Sequence, residues 1–289
     1  GQYNPNGGGS IVVSSPAPPA GTYSFVSTTD ILSITTTAKA TISINMLTGD
    51  YEYKAPAKFT AMYDETISFS MVDADNDSNS SSLVVRNYPL PSSISETWTG
   101  TASAETYTGT ANNDYLDGQA GNDTLNGDGG NDIVKGGVGN DSLDGGAGND
   151  IVLGYEGSDT LVFDASDTVI DGGNVGGNDT LILAASSPNN NINFTSLADT
   201  VLRNIEIIDL TPNGVHSLSN LSVTEVIAMT DGNNELYILG DGSDTVSGSG
   251  WTSAGSGSET INGSSHLFNS YTSGTAILKV ENGIGGSLA

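Results

Sequence analysis

Gly109-Thr-Ala-Asn-Asn-Asp-Tyr-Leu-Asp117, Gly118-Gln-Ala-Gly-Asn-Asp-Thr-Leu-Asn126, Gly127-Asp-Gly-Gly-Asn-Asp-Ile-Val-Lys135, Gly136-Gly-Val-Gly-Asn-Asp-Ser-Leu-Asp144, Gly145-Gly-Ala-Gly-Asn-Asp-Ile-Val-Leu153 and Gly154-Tyr-Glu-Gly-Ser-Asp-Thr-Leu-Val162 follow one another without a gap. A fixed period kept over six units marks a repeat architecture. Position six is Asp throughout: Asp114, Asp123, Asp132, Asp141, Asp150 and Asp159. Position eight is aliphatic throughout: Leu116, Leu125, Val134, Leu143, Val152 and Leu161.

Glycines at positions one and four permit positive φ and close backbone approach, so each unit opens with a tight turn. Its last three residues are β-prone with one aliphatic pointing inward, so each unit ends as a strand. Two units make one coil, and coils stack as parallel strands about 4.8 Å apart around a ladder of aliphatics. Asp114, Asp132 and Asp150 then line one edge of the solenoid, and Asp123, Asp141 and Asp159 line the other. Carboxylates one coil apart repel by about 3 kcal/mol per pair at an effective dielectric of about 20, so the roll is not expected to close without a counter-ion.

A hard divalent cation between successive turns removes that repulsion. Calcium takes a flexible shell of about six to eight oxygens, whereas magnesium demands stricter geometry and zinc prefers nitrogen or sulfur. The chain has no cysteine, which excludes disulfides and thiolate zinc sites alike. The candidate ligands are the six aspartates together with the turn residues Asn112, Gly121, Gly130, Gly139, Gly148 and Gly157.

These units carry the GGxGxDxUx signature and resemble the calcium-binding repeats of the RTX family. The resemblance implies a β-roll with calcium between coils. It implies four internal sites: Asp114 with Asp132, Asp123 with Asp141, Asp132 with Asp150, and Asp141 with Asp159. The pattern departs at its start, where Asn112 replaces the position-four glycine and the preceding unit, Gly100 to Thr108, has Glu105 in the Asp position. Solvated turns of a metal-free solenoid are the plainer alternative, and a strict Asp at one phase argues against it.

Outside the repeats the chain reads as all-β. Residues 1–20, with Gly7, Gly8, Gly9 and three prolines between Ser14 and Ala20, read as a linker. Residues 21–95 hold about seven short strand patterns and are expected to form an immunoglobulin-like β-sandwich. One hairpin is foreseen from Ala40–Met46 to Tyr51 and Tyr53. Leu47-Thr-Gly-Asp-Tyr-Glu-Tyr53 and Glu65-Thr-Ile-Ser-Phe-Ser-Met-Val-Asp-Ala-Asp-Asn-Asp77 resemble Ig-like repeats of bacterial surface adhesins, which act mainly as spacers. Asp73, Asp75 and Asp77 alternate as in a calcium loop but lack the glycine and distal glutamate of an EF-hand, so an Asx-rich turn without metal stays open.

The roll proper is read as residues 96–162, followed by an irregular solenoid over 163–289. There Gly176-Gly-Asn-Asp-Thr-Leu-Ile182, Asp231-Gly-Asn-Asn-Glu-Leu-Tyr-Ile238 and Gly240-Asp-Gly-Ser-Asp-Thr-Val246 repeat the phase in degraded form. Ser222-Val-Thr-Glu225 ahead of Val226, Ile227 and Met229 signals a short helix on the solenoid flank. Asp171-Gly-Gly, Asn193-Phe-Thr-Ser-Leu-Ala-Asp199, Arg203-Asn-Ile-Glu-Ile-Ile-Asp-Leu210, Met229-Thr-Asp-Gly-Asn-Asn234 and Tyr271-Thr-Ser-Gly-Thr-Ala-Ile-Leu278 resemble the C-terminal target domain of adhesins exported by type I secretion. That resemblance implies a secretion signal over about residues 230–289, read by an inner-membrane ABC transporter working with an outer-membrane channel.

The chain has 34 acidic and 7 basic side chains, a formal charge of −27 that repels nucleic acid and anionic lipid and attracts cations. No apolar run is long enough to span a bilayer, and Gly1–Gly9 shows no signal-peptide pattern. HExxH, GxSxG and GxxxxGK[ST] are absent, and His216 and His266 are the only histidines, so no enzymatic activity is expected. The position-two row Thr110, Gln119, Asp128, Gly137, Gly146, Tyr155 is too irregular for ice binding. The expected protein is a monomeric, extracellular calcium-folded module ending a surface or biofilm adhesin. The alternatives are the auxiliary half of an RTX protease, lipase or epimerase, and a calcium-dependent adhesive tip.

Overall fold

The computed structural model describes residues 93–288 except 174–175, 185–190, 199, 213 and 231, and before residue 93 the backbone of seven strands. The chain divides into two units between Leu90 and Pro91.

In the N-terminal unit, Thr22–Val26, Ile31–Thr35, Thr41–Asn45 and Tyr51–Lys54 pair in sequence order as an antiparallel meander. The last two are the hairpin marked by Thr48-Gly-Asp50. Ser10–Ser14, inside the stretch read as linker, is a strand paired antiparallel with Tyr63–Val72, which pairs in turn with Ser78–Asn87. Its Ile-Val-Val core is β-prone enough to add to a sheet edge. The seven described strands are antiparallel, but the immunoglobulin order, in which the first, second, fourth and fifth strands share one sheet, differs from this four-strand meander. Asp73, Asp75 and Asp77 lie outside the described residues.

The C-terminal unit is a solenoid with two parallel sheets facing each other. One contains Glu96–Thr99, Asp114–Asp117, Ile133–Val138, Ile151–Glu156, Val169–Asp171 and Leu202–Arg203. The other runs from Thr106–Thr108 through Thr124–Asn126, Ser142–Asp144, Thr160–Phe163, Thr180–Leu183 and Ile207–Asp209 to Glu235–Leu239. Leu116 stands opposite Val134, Val134 opposite Val152, and Leu125 opposite Leu143, so each coil is two nine-residue units. The six position-eight aliphatics are all fully buried and belong to one continuous core.

The solenoid starts one coil before the first intact repeat. Glu96–Thr99 and Thr106–Thr108 form that coil, and at position eight it carries Trp98 and Tyr107. Their rings stack at 4.5 Å between centroids and pack on the aliphatic core, closing the end of the ladder.

Beyond Phe163 the coils lengthen as expected. Leu161 pairs with Leu181, Ile170 with Leu202, Leu181 with Ile208, and Ile208 with Ile238, each step longer than the regular coil. The added residues build a third parallel sheet of Asn191–Asn193, Ser217–Ser222 and Thr245–Ser249. They also build the helix Val223–Met229, capped by Ser222, whose hydroxyl accepts from the Glu225 amide at 3.3 Å. Val226 and Met229 are buried on it and Ile227 is exposed.

The solenoid ends differently from the sequence expectation. Thr252–Ile261 and Ser264–Ser273 form an antiparallel hairpin, after which Ala276–Glu281 returns parallel to Glu235–Leu239. Asn262 and Gly263 both have positive φ, the requirement of a two-residue hairpin turn. The Asn-Gly pair was the signal for it.

Candidate metal centre

Each position-six aspartate opens the strand half of its unit, and all six are buried, at most 3% exposed. Burial of so many carboxylates demands partners. One oxygen of each finds them inside the roll. The amide of the equivalent residue one coil earlier donates to Oδ1: Glu96 to Asp114 at 3.0 Å, Glu105 to Asp123 at 2.8 Å, and Asp114 to Asp132 at 2.8 Å. Asp123 donates to Asp141 at 2.7 Å, Asp132 to Asp150 at 2.8 Å and Asp141 to Asp159 at 2.8 Å. The structure thus brings together the four pairs expected from the repeat.

The second oxygen is a different matter. Oδ2 of Asp123, Asp132, Asp141, Asp150 and Asp159 is buried with no hydrogen-bond donor. Leaving a buried acceptor unmade costs about 1–3 kcal/mol, more for a charged one. Each orphaned oxygen lies over the position-one glycine of its own unit: a Cβ at Gly118, Gly127, Gly136, Gly145 or Gly154 would collide with it. Position one is therefore glycine for space. Positive φ falls instead at position two, in Gln119, Asp128, Gly137, Gly146 and Tyr155, and at position four, in Gly121, Gly130, Gly139, Gly148 and Gly157. The sequence expectation of positive φ at position one is corrected here, while at position four it stands.

At the N-terminal end the acid is closed by protein. Oδ2 of Asp114 accepts from the Thr110 amide at 2.6 Å and the Thr110 hydroxyl at 2.8 Å. Glu105 is held in the same way by the amide and hydroxyl of Thr101. Threonine at position two thus supplies donors that the left-handed residues of later units do not, and the Asn112 amide donates to the Thr110 hydroxyl at 3.3 Å.

Burial raises these carboxyls. Asp132 is pushed up to about 7, and Asp141, Asp150 and Asp159 to about 6, with loss of solvent the largest cause and the amide bond opposing it. Neighbouring carboxylates add less than burial does. Repulsion between coils, the driving term expected from sequence, is thus secondary to desolvation.

Two features add to the sequence reading. Position-five asparagines form exposed ladders beside the acid ridges: Asn113 Oδ1 accepts from Asn131 N at 2.7 Å, Asn122 from Asn140 at 3.0 Å, and Asn131 from Asn149 at 2.9 Å. The second ridge also continues past the repeats, since Asp159 N donates to Asp179 Oδ1 at 2.8 Å and Asp179 N to Glu206 Oε2 at 3.0 Å. Asp179, raised to about 8 mainly by burial, sits in the degraded Gly176-Gly-Asn-Asp motif that signalled it. Farther on, His216 N donates to Asp244 Oδ1 at 2.8 Å and the imidazole Nδ1 lies 3.3 Å from the same oxygen. This joint carries its own imidazole where the ridges carry a second acid.

Among the described residues no three acidic or imidazole groups converge as a ready-made metal cluster. The ridges offer instead carboxylate oxygens one coil apart and the carbonyls of the turn glycines above them, such as Gly136 over Gly118 and Gly145 over Gly127. An all-oxygen donor set with orphaned buried carboxylates fits calcium. Among the described residues no helix is long and apolar enough to cross a membrane.

A family model described as the RTX calcium-binding nonapeptide repeat (4 copies) matches residues 99–134 and 126–161. No curated protein and no solved structure matches the chain. Repeats of this family bind calcium, and RTX proteins are typically secreted, through type I export. Residues 99–161 of this chain are RTX calcium-binding nonapeptide repeats.

Proposed function

We propose that this chain is a calcium-triggered folding and type I secretion module from the C-terminal part of a bacterial surface adhesin. The observation that carries the reading is the row of five buried, donorless carboxylate oxygens at a fixed interval along two ridges. Extracellular calcium sites commonly have dissociation constants of roughly 10⁻⁴ to 10⁻³ M. Such sites stay empty in the cytoplasm, so the acidic roll remains open before passage through the ABC transporter and outer-membrane channel. Outside the cell, binding and folding are one event. Residues from about 230 onward carry the export signal, and the antiparallel N-terminal unit serves as a spacer. The module acts as a monomer without catalysis.

Circular dichroism of the full chain tests this. Millimolar calcium is expected to produce a strong β signal that EDTA removes from the roll; an identical spectrum in both sinks the reading.

A further inference from the structure

The loop after the last intact repeat, Asp164-Ala-Ser-Asp167, breaks the nine-residue phase and falls outside the matched repeats. It is nonetheless the next rung of the first ridge. Thr168 and Val169 donate their amides to the Asp150 carbonyl at 2.9 and 3.2 Å, continuing the coil. Asp167, one residue earlier, is 7% exposed; its Oδ2 accepts from the Asp164 amide at 2.8 Å and its Oδ1 has no donor. Asp150, fully buried on the coil below, also has a donorless oxygen, Oδ2. Burial is the main influence raising the Asp167 carboxyl; the negative charges of Asp150 and Asp164 add to it, while the Asp164 amide and, more weakly, the Asp150 amide favour its charged form. The charges acting on Asp150 are those of Asp144 and Asp164. A tight turn fixes the loop: Asp167 N donates to Asp164 O at 3.1 Å and Ser166 N to Asp164 Oδ1 at 2.9 Å.

We infer that Asp150 and Asp167 hold a further divalent cation, a terminal site that caps the first ridge with residues outside the nonapeptide pattern. The inference rests on the calcium reading of the roll and extends it by one position. A hard cation, calcium by its all-oxygen donors, joins the last regular coil to the first irregular one. Asp164 and Asp144 add negative charge to the site, and the shifted spacing explains why no repeat pattern reports it.

Native mass spectrometry of the full chain in calcium, comparing wild type with Asp167→Asn, decides the matter. The variant is expected to retain one ion fewer, with the rest of the row unchanged. An equal ion count in the two proteins overturns the terminal site while leaving the roll intact. Wild type that takes up no calcium overturns the parent reading instead. Should the variant fail to fold, wild-type crystals grown with manganese supply the answer. An anomalous peak between Asp150 and Asp167 supports the site, and peaks elsewhere on the ridges without one there overturn it.

Discussion

The regular roll and the irregular extension share one solenoid but are held together differently. Between Asp114 and Phe163 the continuous core is narrow, built on one position-eight aliphatic per unit and flanked by glycines and buried acids. In the extension, longer coils leave room for Phe194, Ile205, Leu210, Leu221, Val226, Met229 and Trp251 in the same core. Its acids also find protein partners: buried Asp244 stands against His216, and Lys279 lies 2.5 Å from the part-exposed Glu235 and Glu259 and over the Tyr237 ring. On the proposed reading, the difference implies that metal dependence should follow core width. Where a coil is too short to bury much apolar surface, a cation is expected to supply the cohesion; where it is long, side chains do.

The largest effect expected from this contrast is regional. Chelation at pH 8 should lower hydrogen-exchange protection of the roll strands, such as those holding Val134 and Leu143, by a hundredfold or more, since a site at about 100 times its dissociation constant contributes about 2.7 kcal/mol. Amides around Ile208, Ile238 and Leu278 should keep theirs. Uniform loss across both regions would erase the distinction.

A smaller effect concerns protons. Asp132, Asp141, Asp150, Asp159 and Asp179 are pushed up to between about 6 and about 8 in the fold, against about 3.9 in an unfolded chain. The metal-free folded roll therefore binds more protons than the unfolded chain between about pH 8 and pH 4, and its stability rises as pH falls through that window. In EDTA, part of the β signal lost at pH 8 should return by pH 5. The calcium needed for folding should fall over the same interval, while the apparent calcium affinity of the folded roll weakens because protons compete for the same oxygens. A β signal in EDTA that stays flat from pH 8 to pH 5 would count against buried acids as the seat of the calcium requirement.

The smallest effect isolates the extension. Lys279→Met removes the cation shared by Glu235, Glu259 and Tyr237, a cluster part-exposed enough that the loss should be about 1 kcal/mol. Denaturant melting of the extension should shift by that amount equally with and without calcium. A shift seen only in calcium would mean that the two regions are coupled.

Much of the roll was legible because a short period forces equivalence. If Asp recurs at one phase, stacked coils must bring Asp114 to Asp132 and Asp123 to Asp141, and the structure places them so. The capped helix at Ser222 was legible for a local reason, since its signal lies within four residues. Asp179 was visible as a degraded motif, yet its place above Asp159 depends on where a longer coil returns. The closing hairpin was missed because alternation in a Ser- and Gly-rich stretch is faint, although Asn262-Gly263 marked its turn.

By itself, the sequence determined the coil length and the two ridges of carboxylates, and it pointed to an oxygen-bound cation. Those follow from periodicity and charge, which any stacking must respect. Only the tertiary structure decided which oxygens are satisfied by protein. Thr110 closes Asp114 while Asp123 to Asp159 each keep one oxygen without a donor, and Asp167 rejoins the ridge out of phase. Hydrogen-bond completion depends on where backbone amides point in three dimensions, and a repeat pattern records only which residues recur.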